Sequence, residues 1–180
     1  MTVILVTGMS GTGKSAALLA LEERGYRVVD TDYGGWTENV SGFDGRASEP
    51  QWHEARIDLL IADHERSGEP LFIGGTVSNQ VEFYPRFDEI VLLTAPVHVI
   101  LDRVAHRQTN PFGKAPAERD RIAADTAEIE PLLRSVATVE INTCRPLSEV
   151  VEHLASLAGP RPCGLMADEV SDPASTNRTT

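Results

Sequence analysis

The chain has little cysteine: Cys144 and Cys163 are all it contains among 180 residues. Two thiols so placed make neither a disulfide framework nor a metal site. Its five histidines, His53, His64, His98, His106 and His153, show no ligand spacing, so no metal chemistry is assigned to them. Positive charge is short as well, with 16 Lys and Arg against 27 Asp and Glu and a net charge of −11. A surface that tracks a phosphate backbone is therefore not expected, and nucleic acid is set aside as a partner. No apolar run approaches the ~20 residues of a membrane span, so no membrane association is expected. Met1-Thr2-Val3 runs directly into an apolar strand with no room for a signal peptide, which makes the expected location cytoplasmic. Internal repeats are absent. With 41% apolar residues, the chain suits one domain with a sizeable core. A small anionic ligand stays open, because a pocket can be basic inside an acidic protein.

Such a pocket is written near the start. Gly8-Met9-Ser10-Gly11-Thr12-Gly13-Lys14-Ser15 fits G-x-x-x-x-G-K-[ST], the Walker A pattern, and lies between the apolar run Val3-Ile4-Leu5-Val6 and a helical pattern from Lys14. Strand, glycine-rich loop and helix N-terminus together present inward-turned N–H groups and a positive dipole end to phosphate oxygens. Lys14 is placed to reach the β- and γ-phosphates of a nucleoside triphosphate, and Ser15 to give its hydroxyl to Mg²⁺. A glycine turn without a ligand explains neither the lysine nor the hydroxyl.

Apolar runs at residues 3–6, 26–29, 71–73, 89–93 and 138–141 read as five buried strands alternating with helices. That alternation predicts a three-layer α/β domain with a parallel sheet and helices on both faces. Asp30-Thr31-Asp32 closes the second strand at its carboxyl end, where open parallel sheets hold their ligands. Residues 33–49 carry Gly34, Gly35, Gly42 and Gly45 and read as a mobile functional loop. Ser48-Glu49-Pro50-Gln51 has the form of a capping box opening a helix to about Ser67. A short helix is expected near Ser78–Phe83, broken by Pro85. Val97, Ile100, Leu101 and Val104 predict an amphipathic helix carrying Arg103 and Arg107 four residues apart. A lid-like excursion follows at about residues 108–117. The next helix contains Pro131, which is expected to kink or split it. The domain is expected to span residues 1–158, and residues 159–180, proline-rich and aperiodic, read as a disordered tail.

A phosphate loop alone does not choose between kinase, motor and switch. No Asn-Lys-x-Asp stretch specifies guanine, and the chain is short for the accessory elements of a large ATPase. GMSGTGKS, the Asp30-x-Asp32 pair, Gly74-Gly75 after the third strand, Leu101-x-Arg103-x-x-x-Arg107 leading to a lid, and a short loop before the last helix together resemble the small-molecule P-loop kinases of the adenylate-kinase-like group, shikimate kinase most of all. The resemblance covers residues 1 to about 158. It implies the P-loop nucleoside triphosphate hydrolase fold with sheet order 2-3-1-4-5, ATP and Mg²⁺ as cofactors, and γ-phosphoryl transfer to a small-molecule acceptor. The expected acceptor is a hydroxyl or phosphate of a shikimate-like acid, nucleoside or nucleotide, and the expected state is a monomer or weak homodimer. An antibiotic-modifying kinase and a nucleotide-dependent regulatory protein are the alternatives.

By that resemblance Gly8, Ser10, Gly11, Thr12, Gly13, Lys14 and Ser15 bind the nucleotide, with Arg145 and Pro146 beside adenine. Asp30 lies nearer the metal, with Ser15, and Asp32 nearer the acceptor. Arg107 is the candidate for neutralising the transferring phosphoryl group, beside Lys14 and Asp32 in the catalytic set. An ordinary helix-end cation is the competing account of Arg107. Arg103 reads equally as a nucleotide contact or a structural residue. Arg56 is placed either to clamp an acceptor anion or to pair with a carboxylate. Gly74, Gly75 and Thr76 line the expected acceptor side, unless they form a plain strand–helix turn. Thr76 stands where shikimate kinases usually have a third glycine, and a glycine-rich loop replaces their helical segment after the carboxylates. ATP use therefore carries over, and shikimate as acceptor does not.

Overall fold

The computed structural model describes residues 2–41, 48–108 and 111–159. Gly42, Gly45, the Thr109-Asn110 part of the expected lid and the expected tail from residue 160 lie outside the described residues.

Strand β1 (Val3–Thr7) is buried along its whole length and occupies the middle of a five-stranded sheet. It pairs in parallel with β5 (Leu71–Gly74) on one side and β6 (Glu89–Thr94) on the other. Strand β2 (Arg27–Asp30) pairs with β5, and β7 (Val139–Asn142) with β6, again in parallel. The sheet order β2-β5-β1-β6-β7 is the expected 2-3-1-4-5 when only sheet strands are counted. Alternation along β1 explains the three layers. Ile4 and Val6 face a core with Leu18 and Leu21 of α1 (Lys14–Glu23) and Val151 and Leu154 of α5 (Leu147–Leu157). Val3 and Leu5 face Ile57 and Ile61 of α2 (Glu54–Ser67) and the wholly buried Trp52.

A smaller core joins α3 (Val97–His106) to α4 (Pro116–Val136) through Ile100, Val104 and Ile122. Helix α4 is one continuous element through Pro131, so the expected split does not occur. The turn Gln80–Arg86 is a 3₁₀ helix that contains Pro85 rather than ending before it.

The largest departure from expectation lies between Asp32 and α2. Thr37–Val40 (β3) and Glu49–Trp52 (β4) form an antiparallel ribbon, so the capping-box pattern at Ser48 opens no helix. Helix α2 begins at Glu54. Long-range partners outweigh the local pattern here. The Asn79 side chain accepts the Trp52 N–H at 2.8 Å and donates to its carbonyl at 3.1 Å. Pro50 contributes its carbonyl to the Ser78 N–H at 3.2 Å. With both backbone groups of Trp52 engaged and its ring in the core, the segment stays extended.

Candidate active site

The phosphate-binding loop leaves the carboxyl end of β1 and enters α1 through Gly13, whose φ of 99° is a left-handed conformation that glycine adopts without steric cost. Thr12 is buried and braces the loop, its hydroxyl donating to the Met9 carbonyl at 2.8 Å. Lys14 is buried beneath the loop, and its ammonium donates to the carbonyls of Gly8 at 2.5 Å and Met9 at 3.4 Å. Burial lowers its pKa; the fields of Asp32 and then Asp30 oppose that shift, and Arg107 adds to it. Two of the three ammonium protons are thus engaged, which leaves one donor for an anion.

Asp30 ends β2 in register with Gly74. Its Oδ1 accepts the Asp32 N–H at 3.1 Å, which turns the chain so that Asp32 lines the cleft above the loop. Asp32 is exposed, yet desolvation by the surrounding cleft raises its pKa above the usual carboxylate value, with Lys14 and Arg107 opposing and Asp30 reinforcing. Between the two carboxylates, Thr31 points the other way and is buried. Its hydroxyl donates to the Gly74 carbonyl at 2.7 Å and accepts Trp52 Nε1–H at 2.8 Å. The carboxylate turn is therefore anchored to the sheet and to the ribbon by a residue the sequence reading passed over. Its signal was the alternation itself: flanked by two outward carboxylates, it had to face inward.

From the opposite wall, Arg107 Nη2 donates to Ser10 Oγ at 3.2 Å and to the Phe112 carbonyl at 3.0 Å. Its Nε is buried and has no hydrogen-bond partner, a donor of the kind that a phosphate oxygen satisfies. Arg103 donates to Thr143 Oγ1 at 2.8 Å, the Thr143 carbonyl at 2.6 Å and the Thr12 carbonyl at 3.4 Å. It lines the cleft and ties the phosphate loop to the loop before α5. Lys114 closes the end of α3, donating to the carbonyls of Ala105 at 2.8 Å and Arg107. Gly8, Ser10, Gly11, Gly13, Lys14 and Ser15 line the same cleft, whose volume is about 1270 Å³. That is more than the ~300–1,000 Å³ of a single-ligand pocket.

Several expected contacts lie elsewhere. Arg145 and Pro146 are exposed and are not part of the cleft wall. Arg56 also lies off the wall. Among the described residues no carboxylate pairs with it: its Nη1 donates to the carbonyls of Gly34 at 3.0 Å and Gly35 at 2.6 Å, and the guanidinium sits 4.0 Å from the Trp36 ring centre. Gly74 and Gly75 are packing glycines. A Cβ on Gly74 would fall 2.2 Å from Leu18 Cδ1, and one on Gly75 would fall 2.2 Å from Thr31 Oγ1. Thr76 lines the cleft, but its hydroxyl donates to the Gly8 carbonyl at 2.8 Å and so braces the phosphate loop. The walls that the sequence reading did not assign are Tyr33, Glu49, Gln80 and Tyr84 on the ribbon side and Asp125, Glu128 and Leu132 of α4.

Fold and site together define a P-loop nucleotide-binding α/β protein, with the fold of the small-molecule P-loop kinases. Residues 4–124 match the family described as AAA domain, and the chain belongs to that family. The match runs from β1 through the phosphate loop, the β2 carboxylates and the α3 arginines into α4. A nucleotide-binding protein of Cupriavidus pinatubonensis is 29% identical over 162 residues, covering 81% of this chain and 52% of that protein. The chain thus spans about half the length of the curated relative it matches. Among solved structures, shikimate kinase from Acinetobacter baumannii in complex with shikimate superposes with a TM-score of 0.56 at 18% identity, covering 87% of this chain and 92% of that one. Shikimate kinase from Bacteroides thetaiotaomicron gives 0.56 at 17% identity, covering 87% and 97%. A sugar kinase from Janibacter gives 0.53 at 14% identity, covering 87% and 94%. At these identities the likeness establishes the fold alone.

Proposed function

We propose that the chain is an ATP-dependent kinase that moves the γ-phosphoryl group to a small acceptor. One observation carries this reading: Asp32, with its raised pKa, shares a cleft with Lys14 and Arg107, and Asp32 and Lys14 each feel the other's charge and that of Arg107. A carboxylate whose proton affinity is raised serves better as a general base for an acceptor hydroxyl. In this scheme Asp32 takes that proton as the acceptor oxygen bonds to the γ-phosphorus in line and the bond to the bridging oxygen of ADP breaks. Lys14 and the unpartnered Nε of Arg107 offset charge on the phosphoryl oxygens. Ser15 and Asp30 present hard oxygen donors, which suit Mg²⁺, and they are the residues that would hold it. Bound there, Mg²⁺ offsets charge on the β- and γ-phosphates. The proposed domain is residues 1–158, with its lid at 108–117.

The test is ADP release by the purified chain with Mg²⁺–ATP, with and without a panel of hydroxylated and phosphorylated acceptors. Acceptor-dependent release supports a kinase. Tight Mg²⁺–ATP binding with no phosphorylated product across the panel rejects it. A regulatory nucleotide-binding role is the second reading, favoured by Arg56, Gly74 and Gly75 being committed to structure and by a nucleotide-binding relative of which the match covers 52%. Under it, slow ATP hydrolysis survives Asp32→Asn unchanged.

A further inference from the structure

The charges on the cleft wall are unevenly shared between its two ends. Its cationic side chains, among the described residues, are Lys14, Arg103, Arg107 and Arg121. The first three hold the phosphate loop or the loop before α5 through the hydrogen bonds given above, so they belong to the donor end. Arg121 has its Nε 3.6 Å from Asp125 Oδ2, one turn along α4, and is answered by that carboxylate. Arg56, the cation nearest the acceptor side by sequence, is held on Gly34, Gly35 and Trp36. The carboxylates on the wall are Asp32, Glu49, Asp125 and Glu128. Beyond the donor end, an anionic group meets like charge and, among the described residues that line the wall, no cation other than the paired Arg121.

The remaining surface there is suited to another chemistry. Tyr33 is half exposed and Tyr84 also lines the wall. Ring faces of this kind pack against the C–H face of a saturated ring. Gln80 Nε2 donates to the Tyr84 hydroxyl at 2.9 Å, which leaves that phenol's proton directed to another acceptor. Ser48 and Ser78 add hydroxyls, and Glu49 adds a carboxylate able to accept from hydroxyl or ammonium groups. We infer that the acceptor is a polyhydroxylated molecule without negative charge, a neutral or amine-bearing polyol, and that carboxylated and phosphorylated acceptors are rejected electrostatically at the ribbon–α4 end of the cleft. This rests on the kinase reading and narrows its acceptor.

The experiment uses the full chain with Mg²⁺–ATP and four sets of ring compounds of matched size: neutral sugars, amino sugars, sugar acids and sugar phosphates. The readouts are product formation and, independently, thermal stabilisation of the chain by each compound in the presence of a non-hydrolysable ATP analogue. The expected result is that kcat/KM for neutral or amino sugars exceeds that for the acids and phosphates by at least about tenfold. Glu49→Lys should narrow that ratio, and Glu49→Gln should lie between. Equal or better use of acids or phosphates overturns the inference. So does loss of such use in Arg46→Ala, since Arg46 is the cation of the segment between β3 and β4 that lies outside the described residues. If none of these compounds yields product, the acceptor panel given above decides the kinase reading, and the stabilisation series decides the inference. Stabilisation by neutral or amino sugars alone supports it, and stabilisation by anions, or by none of the four sets, overturns it.

Discussion

The two ends of the cleft are built from similar residue types and put them to different uses. At the donor end, lysine, arginine and glycine converge on one loop, and at least one donor on each of Lys14 and Arg107 remains uncommitted. Of the residues expected at the acceptor end, an arginine, two glycines and a threonine are all engaged by the protein itself, and only Thr76 lines the cleft: Arg56 holds the Gly34–Trp36 turn, Gly74 and Gly75 are closely packed, and Thr76 braces the phosphate loop. A phosphate site needs fixed backbone donors, so its residues and its fold are one motif. An acceptor site needs only a wall, and the wall is made by whichever side chains the ribbon and α4 bring round.

If that contrast holds, the largest losses of turnover come from the donor end and from Asp32. Lys14→Ala and Arg107→Ala are expected to lower kcat by about 10³-fold, as for removal of a charge-stabilising donor in phosphoryl transfer. Asp32→Asn is expected to lower kcat by about 10²–10⁴-fold with ATP affinity retained. Single-turnover rates and equilibrium nucleotide binding separate the two effects, and equal losses in both would remove Asp32 from the acceptor role. The same carboxyl sets a pH dependence. It must be ionised to act as a base and its pKa is raised in the fold, so kcat should climb with pH through a midpoint above the ordinary carboxylate value. A profile flat on its acid side would contradict the base assignment.

Smaller effects on turnover, but clear ones on folding, are expected at the acceptor end. Gly75→Ala forces a methyl against buried Thr31 and Trp52 and should cost about 1–3 kcal/mol by urea denaturation. Arg56→Ala removes two hydrogen bonds and a guanidinium–indole contact at an exposed site, and should cost about 1 kcal/mol. Its effect on acceptor KM should stay within severalfold. A kcat loss at Arg56 as large as that at Arg107 would erase the distinction between the two ends.

The sheet strands and the phosphate loop were legible because each depends on short-range pattern: apolar runs of strand length, a helix after Lys14, carboxylates at a strand end; the sheet order came from the family resemblance, and the structure has it. The ribbon was not legible. Ser48-Glu49-Pro50-Gln51 has the local form of a helix start, and what holds it extended is Asn79, 27 residues beyond Trp52. The contacts of Arg56 were hidden for the same reason. Two backbone carbonyls and an indole ring are invisible as partners in a sequence, whereas a carboxylate or a ligand anion comes readily to mind. Glycines at a strand end likewise fit a ligand approach or a packing contact equally well until the neighbouring Leu18 and Thr31 are in place.

The smallest effect expected lies outside both ends and separates folding from catalysis. His64 is fully buried on α2, its Nε2 has no partner, and Ser67 Oγ lies 3.4 Å from its Nδ1. Desolvation, then the charge of Arg27, lowers its pKa, against weaker opposition from Glu69 and Glu65. The unfolded chain therefore takes up a proton at the ordinary histidine value of about 6.5 while the folded chain refuses it. Below that pH the unfolded state binds more protons, so this contribution to stability is present above about pH 6.5 and is lost as pH falls toward the lowered folded value. His64→Leu keeps the site apolar and removes the titration. Across pH 7.5 to 5, the fall in Tm should be shallower in His64→Leu than in the parent, while the acid limb of kcat, set by Asp32, should not move. Parallel Tm slopes would show that His64 is protonated without penalty, and a shifted kcat limb would couple the helix to the site.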